Sequence, residues 1–347
     1  MINEFVQISR RIANERKQDP VLRARMELAT QGQSPRYLLI SPINRSGQDL
    51  QLFNMSIGDA FHATRVPGHA LLSPDLSPTL LKWPAAYNHE FPNKKGVIVT
   101  FDFDEPLEVI RKTIESISLY PDLQSMPIIA FQVNYNTADL KIIVHGKGRD
   151  YESEIQFLRR VRLPDEVDTS VLVFICSDSR VRPPYTNKGI PMSIQTLGGY
   201  IPPLTRMEDE TRQLNRFFQN WLQSKDNAKR ILIVAHGNFE GNGASCGVGT
   251  ASLNPAAISS KFLRQAIEEI RQAAQEFETN NPTTPEDRVK SMSKAVRKNL
   301  LTYPAIAEAH DLFGLEIDEI LMDTVTNTLF QSDELKFPEQ DAIRSSY

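Results

Sequence analysis

Cys176 and Cys246 are the only two cysteines in the chain. Cys176 closes the apolar run VLVFIC (171–176), and His236 lies at the end of a second run, RILIVAHG (230–237). Cys246 follows ten residues after His236, inside the glycine-rich stretch AHGNFEGNGASCGVG. Read alone, two isolated cysteines would be small buried apolar side chains. With the histidine they make a different set: two thiolates and one imidazole, with one tetrahedral position left free. That is the pattern of a catalytic zinc site, since structural sites close all four positions. Soft sulfur ligands favour zinc over magnesium or calcium.

The run CSDSR (176–180) places a carboxylate, Asp178, and a guanidinium, Arg180, at alternate positions after the first cysteine. Zinc held by two thiolates is a weaker Lewis acid than zinc held by three histidines. Another group must then help to bring the pKa of bound water from ~9 toward ~7. Asp178 could accept a hydrogen bond from that water, and Arg180 could keep Asp178 ionised through a paired contact. Taken without the cysteines, the same two residues would be a turn-stabilising ion pair with no chemistry.

The elements that must position these residues follow from apolar periodicity. VLVFIC and RILIVAHG read as strands buried on both faces. If they are parallel neighbours, Cys176 and His236 fall at one carboxyl edge, where ligands gather in open α/β sheets. MEDETRQLNRFFQNWLQ (207–223) carries Leu214, Phe217, Phe218, Trp221 and Leu222 on one helical face. PAAISSKFLRQAIEEIRQAAQEF (255–277) reads as a long amphipathic helix with Pro255 near its start. Further helices are expected over about 288–301 and 304–313, the second ended by Gly314, and LEIDEILM (315–322) reads as a final strand. Strands alternating with helices predict an α/β fold with a mainly parallel sheet flanked by helices.

Upstream, residues 37–165 read as a separate α/β unit of unassigned role. Its apolar runs are YLLIS (37–41), GVIVTFDF (96–103), PIIAFQV (127–133) and LKIIVHG (140–146), with a helix over 105–118 and loop over 66–96. No catalytic motif is visible there. His62, His69, His89 and His145 are scattered, without i, i+4 pairing or nearby cysteines. KIIVHG (141–146) is similar to RILIVAHG, a weak hint of internal duplication. Residues 1–36 read as a charged helical arm with Ile2, Phe5, Val6 and Ile12 as a partial apolar stripe. The expected organisation is an arm (1–36), an accessory domain (37–165) and the metal domain (166–347).

Composition sets the remaining bounds. The 347 residues are 40% hydrophobic and 24% charged, an ordinary globular balance. Lys plus Arg is 39 against 43 for Asp plus Glu, so no basic excess supports nucleic-acid binding. No apolar run reaches ~18 residues, and the N-terminal sequence lacks the apolar core of a secretory signal. Few cysteines and no export signal lead to the expectation of a reducing, cytoplasmic setting. GNGASCG lacks the glycine spacing and acidic partner of a dinucleotide loop.

CSDSRV (176–181) resembles the zinc-binding signature of the β-class carbonic anhydrases. His236 matches the family's histidine ligand, and SCGVGTA (245–251) is similar to the stretch around its second cysteine. AVRKNLLTYPAIAEAHDLFGLEIDEILMDTVTNTL (295–329) is similar to the family's closing pattern. The resemblance covers about residues 166–330. It implies Zn2+ bound by Cys176, His236 and Cys246, with Asp178 and Arg180 as the catalytic pair beside it. The implied reaction is reversible hydration of carbon dioxide to bicarbonate, by water activated on the metal. In some members the equivalent of Asp178 binds zinc directly in a closed, inactive state. The resemblance also implies a homodimer or larger homo-oligomer, because β-class sites lie near subunit interfaces.

Two departures stand out. The family places two residues between the histidine and the second cysteine, whereas nine intervene here. Gly237, Gly241 and Gly243 could let that segment loop out and return. A lengthened spacing also occurs in the carboxysomal shell branch, which admits a bacterial microcompartment as a setting. The family's Arg-Asn-Ala-Gly stretch is replaced within GIPMSIQTLGGY (189–200) by Thr196, Leu197, Gly198 and Gly199. Two other functions fit the same residues: hydrolysis of carbon disulfide or carbonyl sulfide, and a non-catalytic zinc-stabilised assembly module.

Overall fold

Among the described residues, the apolar runs of each half, joined by shorter and more polar strands, assemble into two five-stranded sheets. The computed structural model describes residues 2–72, 86–87, 91, 96–124, 126–145, 163–205, 209–224, 228–278 and 282–331. The expected loop over 66–96 lies mostly outside them.

The arm forms α1 (Ile2–Gln18) and α2 (Pro20–Thr30), separated where Asp19 accepts hydrogen bonds from the N–H groups of Val21 and Leu22. The first sheet contains β1 (Tyr37–Pro42), β2 (Ala60–Arg65), β3 (Gly96–Asp102), β4 (Ile128–Asn134) and β5 (Asp139–His145), with helices α3 (Ser46–Leu52) and α4 (Leu107–Ser118). The second contains β6 (Val167–Cys176), β7 (Ile190–Thr196), β8 (Arg230–Gly237), β9 (Glu316–Asp323) and β10 (Leu329–Phe330). Its helices are α5 (Asp209–Gln223), α6 (Gly247–Leu253), α7 (Lys261–Gln275), α8 (Pro285–Leu300) and α9 (Pro304–Phe313). The fold is α/β, with mostly parallel sheets flanked by helices.

The two sheets share one topology. The first runs β2-β1-β3-β4-β5 and the second, read from its other edge, runs β7-β6-β8-β9-β10. In each, only the last pair is antiparallel. The internal similarity noticed in the sequence joins the wrong strands, however. KIIVHG lies on the antiparallel edge strand β5, whereas RILIVAHG is the central strand β8, whose counterpart is β3. Strand alternation explains the false match, because any buried run ending in a turn looks like another.

Register aligns the two units. The β1–β3 ladder runs from Tyr37–Gly96 to Ile40–Val99, and the β6–β8 ladder from Val171–Arg230 to Phe174–Ile233. Superposing these ladders sets Pro42 in the place of Cys176 and Asp102 in the place of His236, and keeps Leu38, Ile40, Val97 and Val99 on the face of Leu172, Phe174, Ile231 and Ile233. The equivalent edge strands β2 and β7 face each other where the units meet. Ser193 N–H donates to the Ile43 carbonyl and His62 N–H to the Ser177 carbonyl, each at 3.2 Å.

The arm packs on its own chain. Phe5 and Val6 of α1 join Val173, Ile175, Leu232, Val234 and Met322 on one face of the second sheet. The other face carries Leu172, Phe174, Ile231 and Ile233, covered by α5 and α7 through Leu214, Phe218, Trp221 and Ile267. The sequence placed Pro255 at the head of a long helix. Instead Pro255 opens a 3-10 turn, and the helix begins at Lys261, where the Ser260 hydroxyl accepts the Leu263 N–H. A serine cap satisfies an orphan helix donor that a proline start would leave to solvent.

Close approach of the units depends on Gly47. A Cβ there would lie 2.0 Å from Cγ2 of Ile190, a branched atom that cannot swing clear. Gly47→Ala should destabilise the chain by about 1–3 kcal/mol, as overpacking does. Urea denaturation checks this, and an unchanged midpoint would contradict the packing argument.

Candidate metal centre

Cys176 ends β6 and His236 is the penultimate residue of β8, its parallel neighbour, so both stand at one carboxyl edge. Cys246 is the N-cap of α6. All three are buried, and their ligand atoms lie within 4.8 Å of one another. Tetrahedral ligands held ~2.0–2.3 Å from one zinc lie roughly 3.3–3.8 Å apart. A movement of about 1 Å therefore closes the group on an ion.

Hydrogen bonding prepares the histidine for that role. Thr324 Oγ1 donates its single proton to the Gly237 carbonyl, at 3.1 Å. Toward His236 Nδ1, 3.0 Å away, it can only accept. Nδ1 therefore carries the ring proton and Nε2 keeps a lone pair. Nε2 is buried with no hydrogen-bond partner. An orphaned imidazole lone pair between two thiols fits a metal and little else.

The thiols differ. The hydrogen bond to Cys246, together with burial, raises the pKa of Cys176 well above the usual thiol value. The same bond lowers that of Cys246 against the cost of burial, helped by His236 and the Gly249 N–H at the start of α6. Gly198 N–H donates to Cys176 Sγ at 3.3 Å. A Cβ on Gly198 would meet Met292 and Val248, so the backbone reaches the sulfur because no side chain intervenes.

Asp178 and Arg180 form a buried two-pronged pair. Arg180 Nε reaches Oδ1 at 2.9 Å and Nη2 reaches Oδ2 at 2.7 Å, and the Arg180 N–H adds a third bond at 2.9 Å. Burial pushes the Asp178 carboxyl up, but Arg180 outweighs it and holds the group below its ordinary value. Oδ2 lies 4.0 Å from His236 Nε2, which puts the carboxylate beside the ligand cluster.

The long return from His236 to Cys246 is held by residues the motif did not point to. The Asp323 carboxylate accepts Glu240 N–H at 2.9 Å and Asn242 Nδ2 at 2.7 Å. Glu286 Oε1 accepts Asn238 N–H at 2.9 Å and the Ser245 hydroxyl at 2.6 Å. Arg180 Nη2 then donates to the Ser245 carbonyl at 2.8 Å, tying the pair to the residue before the second cysteine. The segment after the arm helices and the first unit also reach the site. Gln33 Oε1 accepts the Ser179 N–H at 3.2 Å, and Gly58 N–H donates to the Ser179 carbonyl at 2.8 Å.

The structure thus brings together Cys176, Asp178, Arg180, His236 and Cys246. His62 is buried elsewhere, with Nε2 2.8 Å from Ser41 Oγ. His89 and the side chain of His145 lie outside the described residues. Thr324 and Asp323 sit in DTVTNTL (323–329), a polar stretch after an apolar strand that could have signalled buried hydrogen bonding. Gln33 carried no signal, lying far away in an unpatterned linker.

No protein-family model matches the chain, and no curated protein matches it by sequence. Among solved structures, the β-carbonic anhydrase CcaA is 19% identical, aligning over 52% of this chain and 78% of that one, with a TM-score of 0.36. A tetrameric β-carbonic anhydrase from Sordaria macrospora is 19% identical over 46% of this chain and 79% of its own, with a TM-score of 0.35. CafA, a β-carbonic anhydrase of Aspergillus fumigatus, is 17% identical over 54% and 84%, also at 0.35. Among the described residues, no helix is long and apolar enough to cross a membrane.

Removing an outer hydrogen bond to a metal ligand commonly weakens metal affinity ~10–100-fold. Thr324→Val should do so for zinc, measured by competition with a chelator. Wild-type affinity in the variant would show that Thr324 does not orient His236.

Proposed function

We propose that the chain hydrates carbon dioxide reversibly at a zinc ion held by Cys176, His236 and Cys246. The observation that supports this best is the buried carboxylate of Asp178, ionised and 4.0 Å from the imidazole lone pair. A purely structural zinc site has no use for such a group and would leave no position beside it. Resemblance of CSDSRV and the 295–329 pattern to β-class carbonic anhydrases points the same way.

Zinc, when bound, supplies the Lewis acidity that lowers the pKa of water. The remaining work belongs to the chain. Arg180 occupies both oxygens of Asp178 and keeps the carboxylate charged, hence able only to accept hydrogen bonds. Such an acceptor beside the metal takes the O–H of a water and turns its lone pairs toward an incoming carbon. Because Arg180 engages Asp178 at both oxygens, the carboxylate serves as an acceptor in this arrangement and leaves the metal to the other three residues. Thr324 fixes the imidazole tautomer. Val248 and Met292, packed around Gly198, give one side of the site an apolar wall suited to an uncharged linear substrate.

Stopped-flow carbon dioxide hydration on protein of measured zinc content tests the proposal. Cys176→Ala should lose both zinc and activity. Asp178→Asn should keep zinc and lose ~100-fold or more in turnover, the usual scale for a positioned proton acceptor. Full zinc with no hydration by the wild-type chain at neutral or alkaline pH would overturn the assignment. Unchanged turnover in Asp178→Asn would remove its role.

A further inference from the structure

The junction of the two units holds a cavity of about 560 Å³, bounded by α1, α3 and the segment 182–185. Interfaces between units are frequent places for small-molecule sites, and this volume lies in the range of ligand pockets. Two arginines line it, Arg16 from the arm and Arg182 from the second unit. Among the described residues, neither guanidinium has a carboxylate within ion-pair distance. Arg182 donates only to backbone carbonyls, those of Ser56, Ser179 and Val181. Arg16 makes no hydrogen bond at all among the described residues.

Two acids, Asp19 and Glu15, also line the cavity, and neither is paired with Arg16 or Arg182. Asp19 Oδ1 accepts the first N–H groups of α2, at 2.8 and 3.1 Å. Glu15 is exposed and lies 3.9 Å from Arg11. Asp59 pairs with Arg25 at 2.8 Å. Burial lowers the pKa of Arg182 to about 10 against the pull of Asp59, and the charge of Arg16 adds to the lowering. Two like charges thus line one space, neither within ion-pair distance of a carboxylate among the described residues. Ile12, Leu22, Leu50 and Met55 add apolar surface to the lining.

We propose that this cavity binds a small organic anion, its carboxylate or phosphate head between Arg16 and Arg182 and its apolar body against Ile12, Leu22 and Leu50. A guanidinium matches the planar oxygens of either head group, and two of them supply the charge that an isolated buried arginine lacks. The site is separate from the metal centre and does not depend on its chemistry.

Calorimetric titration of the full zinc-loaded chain tests this, with benzoate and phenyl phosphate as probes. Benzamide serves as the uncharged control and inorganic phosphate as the head without a body. One equivalent of benzoate or phenyl phosphate should bind per chain, at least tenfold tighter than benzamide or inorganic phosphate, and the preferred probe identifies the head group. Arg16→Gln should weaken that binding at least tenfold with zinc content unchanged. Arg16 lies on a partly exposed helix face, so this variant is informative even if Arg182→Gln fails to fold. Absence of binding by both probes, or benzamide or inorganic phosphate binding as tightly as they do, would overturn the proposal. So would wild-type affinity in Arg16→Gln, which is also the result expected if the anion goes to the metal.

Discussion

A thiolate and a carboxylate buried in one small site repel, and Arg180 is the group that makes their company tolerable. Its guanidinium takes both oxygens of Asp178 and the carbonyl of Ser245 next to Cys246. Its own carbonyl accepts Asn327 Nδ2 at 3.0 Å. One residue thereby joins the end of β6, the return loop and the turn after β9. Remove its charge and the carboxylate is left buried beside a thiolate, a situation that costs several kcal/mol unless a group neutralises. The metal site is therefore a balance of charges before it is a set of ligands.

That balance explains what was legible in the sequence. Cys176, Asp178 and Arg180 are close in the chain, and His236 and Cys246 end or follow strands whose apolar character is plain. Strand polarity alone brings Cys176 and His236 to one edge. The long spacing before Cys246 was legible as a glycine detour, but its closure was not. Asp323 and Glu286 hold the loop from other elements, and contacts so distant in sequence leave no periodic trace. Strands β2 and β7 were missed for a related reason. AFHATR and IPMSIQT are short, mixed in polarity and, in one case, carry a proline. They are strands because neighbours pair with them, a tertiary effect that overrides weak local preference.

The first unit shows how the same scaffold fares without the thiol and the imidazole. Where the second unit has Cys176, Asp178 and His236, it has Pro42, Asn44 and Asp102, and Asp102 pairs with Arg45 at 2.9 Å. Its equivalent region is filled by Arg65, which lies 4.5 Å above the Phe101 ring and is gripped by both oxygens of Glu105. A buried cation remains, but it is a guanidinium satisfied by a carboxylate, with nothing left open for solvent. Through Gly58 and His62 the unit braces the 177–179 segment of its neighbour.

The seam between the units carries a consequence of its own. Identical halves related by a twofold axis must show each other one and the same surface, so every contact is made twice and a residue on the axis meets its own copy. Here the halves share a topology and differ in side chains. Gly47 yields room to Ile190 on one side of the seam. Gly58, at the same seam, would carry a Cβ with nothing within 4 Å, so the contact is not repeated there. Joining unlike halves in a single polypeptide frees each contact from being made twice, and lets positive charge gather on one flank alone. A symmetric assembly of the same topology must repeat every such contact across its axis.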